Sequence, residues 1–391
     1  MKACFCGMAV GALALFSAFP AQGDMGDLLR RFPNPNTGGS SFPYAVAGEG
    51  SLVAGSSYWD SKVYLFNAQT GALQRTLTSP GNSGEFGRSL DILGNLLLVG
   101  ADRTYASGAN SQGAAFLYDA GSGQLLHSFW SPRSGQDSRV GYSVAMVGDK
   151  VLLGAWGVNN ESGEAYLFNA TSGALLSTLM PPGNLYGRFG YSVAAMGKDA
   201  LVLSQGNTPG AYRFDCGTGQ LLTTYVAPDG VPTFDSIAAV GDKVLIGSSS
   251  ANGGKGEAYI YNRDTGSLLS RLANPNQTNA FLFGERVAGV GNVAVVGCRN
   301  DSAVYYDSGT VHLFDSDTGQ LLYSIANPDP RQYAFFGANL ADMGNNLLVG
   351  GGSGCTNEYL FQITPEPATL CLLGLGGLAL LRRKRASQGK R

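Results

Sequence analysis

Between residues 42 and 361 the chain alternates short apolar runs with turns rich in Gly, Asn and Asp, and the alternation itself repeats. Six segments share one pattern of apolar strand, turn and second strand: YLFNAQTGALQRTL at Tyr64, FLYDAGSGQLLHSF at Phe116, YLFNATSGALLSTL at Tyr166, YRFDCGTGQLLTTY at Tyr212, YIYNRDTGSLLSRL at Tyr259 and HLFDSDTGQLLYSI at His312. Their turn glycines, Gly71, Gly123, Gly173, Gly219, Gly266 and Gly319, lie 46 to 53 residues apart. Apolar runs this short, closed off by turn residues, predict strands rather than helices. Each turn opens with Asn67, Asp119, Asn169, Asp215, Asn262 or Asp315. Such side chains bond their own backbone in a reversal, so a structural role is expected for them and no metal.

A second hairpin precedes each of these, on the pattern FGxSVAxxGDxVLxG. It starts at Phe86-Gly87, Val140-Gly141, Phe189-Gly190, Phe283-Gly284 and Phe336-Gly337, with Phe42-Pro43 and Phe234-Asp235 as looser copies. Seven first hairpins with four strands per period predict an all-β fold, a seven-bladed β-propeller of four-stranded blades.

The last copy stops after Tyr359-Leu360-Phe361, one strand short, and the missing strand is legible at the other end. GDLLRRFPNPN from Gly26 matches GSLLSRLANPN from Gly266, placing Leu28, Leu29 and Phe32 where Leu268, Leu269 and Leu272 stand. The N-terminal strand is therefore expected to complete the last blade and leave the ring no open edge. Burial of all three side chains would set an upper bound of ~5 to 9 kcal/mol on that clasp.

The Phe-Gly starts and the Val-Gly strand ends resemble FG-GAP-type propeller repeats, the kind also found in integrin α-chain heads, over nearly all of residues 24–364. Some repeats of that type carry a calcium loop between their first two strands. Here that connection is only Gly148-Asp149, Gly241-Asp242 or Gly291-Asn292, so the resemblance implies no calcium.

The two ends read differently from the body. Lys2, an apolar stretch from Met8 to Phe19 and small residues at Ala21-Gln22-Gly23 have the form of a signal peptide over 1–23. After Thr364 come Pro365, Glu366 and Pro367, an apolar run from Ala368 to Leu381, and then Arg382, Arg383, Lys384 and Arg385. A basic cluster after an apolar helix is retained in the cytoplasm, which leaves the body outside. At about 1.5 Å per residue the run is roughly 21 Å long, a transient anchor in a ~30 Å hydrocarbon core. This tail, 365–391, closely resembles the PEP-CTERM sorting signal. The resemblance implies an exosortase-type sorting protease as partner, export across the inner membrane of a Gram-negative bacterium that makes extracellular polysaccharide, and delivery to the cell surface or matrix.

Of 391 residues, 57 are glycine and 14% are charged, which suits many short strands joined by tight turns. The chain holds 26 bases and 28 acids; the leader takes one base with it, and the tail six bases and one acid, leaving 19 against 27. A body so acidic argues against nucleic acid or anionic lipid as partner. Of its cysteines, Cys216 stands alone, while Cys298 and Cys355 fall at matching places in neighbouring blades. They are either a disulfide or two buried thiols.

Connections within hairpins are tight and those between hairpins and between blades are long, so one face of the ring is plain and the other variable. Binding residues favour loops on a rigid scaffold. The variable face carries Tyr58, Trp59 and Asp60 in blade one, Asp102, Arg103 and Tyr105 in blade two, Trp156, Asn159 and Asn160 in blade three, and Asn300, Asp301, Tyr305 and Tyr306 in blade six. Aromatic rings beside Asn and Asp suit a sugar, which offers an apolar face and hydroxyls together. His127 and His312 occupy ordinary strand positions, and no nucleophile elbow, phosphate loop or catalytic triad stands out. The expectation is a binding or structural module without catalysis or cofactor, contacting exopolysaccharide or envelope proteins. The alternative is a secreted carbohydrate-active enzyme, a lyase or hydrolase, using loop carboxylates.

Overall fold

In a computed structural model, residues 24–36, 42–57, 59–81, 84–104, 112–133, 137–183, 187–206, 209–278, 280–352 and 355–363 are described. Residues 24–364 form one compact unit. It consists of seven four-stranded antiparallel sheets, the blades of a β-propeller, and each sheet follows chain order except the last. Short turns at Val158–Glu161 and Asn252–Gly254 are the helical elements among the described residues.

Blades one to six span 46–78, 90–130, 144–179, 189–226, 236–273 and 280–326. Blade seven combines the strands Asn339–Met343, Asn346–Gly350 and Asn357–Gln362 with Leu28–Pro33 as its outer strand. The closing strand pairs Phe32 with Glu358, as Leu179 pairs with Ala165 in blade three and Leu272 with Ala258 in blade five. The predicted closure and its register are therefore what the ring uses.

The energetics of the clasp differ from expectation. Phe32 is fully buried, but Leu28 and Leu29 are 37% and 40% exposed. The reason is a β-bulge: Leu28 pairs with Phe361 and Arg30 with Leu360, so Leu29 is an extra residue and both leucines face outward. The same irregularity recurs in the outer strands of the other six blades, as at Leu126 between the pairs Tyr118 to Leu125 and Leu117 to His127. With Phe32 alone buried, the transfer contribution of the clasp is about 1.5 to 3 kcal/mol.

Packing between blades explains the repeated motifs. The residue that opens each first hairpin, Phe42, Phe86, Val140, Phe189, Phe234, Phe283 or Phe336, is fully buried in all seven copies. In five copies glycine follows because backbones meet there: a Cβ on Gly190 would stand 2.4 Å from the carbonyl oxygen of Glu164 in the preceding blade. The Asx turns form as predicted, with Asn67 Oδ1 accepting from the amides of Gln69 and Thr70 at 3.0 and 2.8 Å.

Candidate functional site

The residues that follow each Phe-Gly pair begin the innermost strands, so seven repeats deliver them to one place, the mouth of the central channel on the long-loop face. A cavity of about 180 Å3 lies there, reached by Arg88, Tyr142, Tyr191, Asp235, Arg286 and Asn339 from blades two to seven and by Val46 from blade one.

Its chemistry is aromatic and cationic. The Arg88 guanidinium stacks 4.1 Å from the centre of the Tyr142 ring and 5.4 Å from that of Tyr44. Tyr142 donates its hydroxyl to that of Tyr191 at 2.9 Å, their rings 4.9 Å apart. Burial, and then the neighbouring Tyr142, push the Tyr191 phenol above its ordinary value, so it stays neutral. Trp156 stands edge-on to Tyr142 at 5.7 Å, with Arg188 and Arg139 at 5.2 and 5.6 Å from its ring. Its indole N–H is buried and meets no acceptor among the described residues.

Beside the mouth, Asp102 is buried with Arg88 at 3.9 Å and Arg139 at 3.7 Å. Burial raises its carboxyl to about 7, Arg88 opposing the rise and Glu85 reinforcing it. Asp235 is saturated by neutral donors: Gln205 Nε2 at 3.0 Å, the Ser249 amide at 2.6 Å and the Ser249 hydroxyl at 2.7 Å.

The residues singled out in the sequence are distributed over three places. Trp156 backs the mouth, packing against Tyr142 and Tyr191 without lining the cavity itself. Trp59 is 74% exposed on the blade-one loop, while Asp60 turns inward and accepts from Asn36 Nδ2 and Ser57 Oγ at 2.6 and 2.8 Å. Asn159 donates to Glu164 at 3.1 Å, where Arg133 also binds, and so braces its own loop. Tyr305 and Tyr306 are exposed. Tyr306 meets Tyr333 edge-on at 5.5 Å in a second cluster that continues through Phe335 to Arg299. Tyr58 and Tyr105 lie outside the described residues, as do the leader and the sorting residues Pro365, Glu366, Pro367, Arg382, Arg383, Lys384 and Arg385.

Tyr142, Tyr191, Arg88 and Arg286 were missed because each looks like part of a repeat. The signal that finds them is the variable pair after each repeated start: FGRS, VGYS, FGYS and FGER.

Of the two arrangements open to the cysteines, the structure shows two buried thiols. Cys355 donates to the Asn357 carbonyl at 3.0 Å, and Cys298 lies 3.5 Å from the Phe281 carbonyl and 3.6 Å from Asn274. Among the described residues no group of three or more His, Cys, Asp or Glu side chains is placed to hold a metal ion, and no helix is long and apolar enough to cross a membrane.

Comparison with known proteins adds the C-terminal element. Residues 364–385 match the family model of the PEP-CTERM protein-sorting motif. No curated protein matches the chain. Among solved structures it is similar to "Structure of U3-55K", at 13% identity and a TM-score of 0.63, over 87% of this chain and 100% of that one. At such identity the likeness concerns the fold alone. The chain is a seven-bladed β-propeller with a PEP-CTERM sorting motif at its C-terminus.

Proposed function

We propose that the chain is a surface or matrix binding module, exported and sorted through its PEP-CTERM motif by an exosortase-type protease, that holds exopolysaccharide or an envelope protein on its long-loop face. Its repeats are read as FG-GAP-type. The single observation that carries the reading is the pair of tyrosines at the channel mouth, Tyr142 and Tyr191, backed by Trp156, on a scaffold whose other face has only tight turns. Clefts lined by aromatic rings with a few placed polar groups are the usual form of a small-ligand site.

Saturable binding of residues 24–364 to the producing organism's own polysaccharide tests the proposal, with Trp156→Ala and Trp59→Ala as variants. Loss of binding in Trp156→Ala supports the mouth, and loss in Trp59→Ala alone moves the site to blade one. Absence of binding in the parent points to a protein partner.

One observation favours the enzymatic alternative, a carbohydrate-active lyase or hydrolase: Asp102 titrates near neutrality beside Glu85. Release of reducing or unsaturated ends from the same polysaccharide, abolished in Asp102→Asn, is the result that reading requires.

A further inference from the structure

Arginines on the long-loop face fall into two groups. Arg103 pairs with Glu85 at 2.8 Å, Arg139 with Asp137 at 2.9 Å and Arg188 with Glu161 at 2.9 Å. The two that line the mouth are different. Arg286 has no carboxylate within 4.0 Å among the described residues; its Nη1 donates to the Glu285 carbonyl at 3.2 Å, and the carboxylates that favour its charge, Glu285 and Asp235, act from beyond contact. Asp235, which shares the cavity, is already satisfied by Gln205 and Ser249. Arg88 has its nearest carboxylate at 3.9 Å and spends its face on Tyr142.

Holding a guanidinium partly out of water without a paired anion is unfavourable, and a ligand carboxylate reverses that cost. The placement also runs against the net acidity of the body, which would otherwise repel an anion. A bare anion would leave most of the space empty: about 180 Å3 corresponds to roughly six water positions, the scale of one sugar ring with its carboxylate.

Building on the carbohydrate reading, we infer that the mouth selects an acidic sugar, a hexuronate residue whose carboxylate sits between Arg286 and Arg88 while its ring lies against Tyr142 and Tyr191. Neutral sugars lack the group that would pair with Arg286 and supplement the distant Asp102 contact of Arg88.

The test is calorimetric titration of residues 24–364, which contain all seven sheets, with trigalacturonate, maltotriose and inorganic phosphate. Trigalacturonate is expected to bind saturably, maltotriose at least tenfold more weakly, and phosphate no better than maltotriose. Binding of the acid should weaken between about 50 and 300 mM salt. Arg286→Gln should reduce trigalacturonate affinity at least tenfold. Should that variant fail to fold, Asn339→Asp, which sets a carboxylate in the same mouth, should produce the same loss. Equal binding of trigalacturonate and maltotriose, unchanged by either variant, overturns the acidic-sugar inference and leaves the carbohydrate reading standing. Phosphate binding as tight as trigalacturonate also overturns it, because the ring would then contribute nothing. Failure of both sugars removes the carbohydrate reading as well.

Discussion

His127 Nε2 donates to the carbonyl oxygen of Thr171 at 2.8 Å, linking the outer strand of blade two to the turn of blade three. The position just after the bulge does this in three further blades: Arg75 reaches Gly121, Thr223 reaches Asp264, and Arg30 in the closing strand reaches Gln69. The bulge that turns two residues outward thus also aims the next at the neighbouring blade, and a histidine that could suggest catalysis serves as a rivet.

Ring closure rests on Phe32. Its replacement by alanine should lower stability by about 3 to 5 kcal/mol, the range for a fully buried phenylalanine. Leu29→Ala should cost less than about 1 kcal/mol, since the side chain is 40% exposed. Denaturant titration of the two variants separates them. Deleting residues 27–32 should open the ring, and an unchanged melting temperature would disprove the closure.

Glu358 occupies the core position that Ala165 and Ala258 hold in other blades, fully buried, with both carboxyl oxygens unpartnered among the described residues. Burial raises its pKa well above the ordinary 4.5, so the folded protein keeps the proton that the unfolded chain gives up. Its contribution to stability is complete below pH 4.5 and declines as pH rises from there toward the folded value. Glu358→Gln should remove that decline, measured as unfolding free energy against pH.

His312 has the opposite slope. Burial lowers its pKa from 6.5 to about 4, Nδ1 being held by Ser324 at 2.8 Å and Nε2 unpartnered among the described residues. Stability is therefore complete above pH 6.5 and lost as pH falls toward 4, by up to roughly 3 kcal/mol. His312→Gln should flatten that acid limb. Retention of the full limb in the variant would assign it to other groups.

The three body cysteines, Cys216, Cys298 and Cys355, are buried free thiols, and burial raises the first two to about 12. A thiol reagent should therefore label none of them in native residues 24–364 and all three after unfolding. Finding only one labelled would show that Cys298 and Cys355 are bridged.

Blade number and closure were legible because turn chemistry is local: Asn or Asp followed by glycine marks each reversal wherever it occurs. The burial of Leu28 and Leu29 was not, since a bulge depends on a pairing register that a single strand does not display. Trp156 was found by composition, but Tyr142 and Tyr191 are 49 residues apart and meet only because the ring brings equivalent positions of adjacent blades to one axis. Arg286 was overlooked for the same reason: its lack of a carboxylate in direct contact is a property of the assembled mouth.

The pairing of Phe32 with Glu358 also sets an order of events. The first strand made must wait for the last, about 325 residues later, because no other blade leaves it a vacant edge. Joining the two spans nearly the whole chain, the kind of contact that slows folding most. Until translation and export have delivered the final strand, the protein is an open arc with one strand in reserve, so only a chain that has been delivered to its last blade can shut the circle.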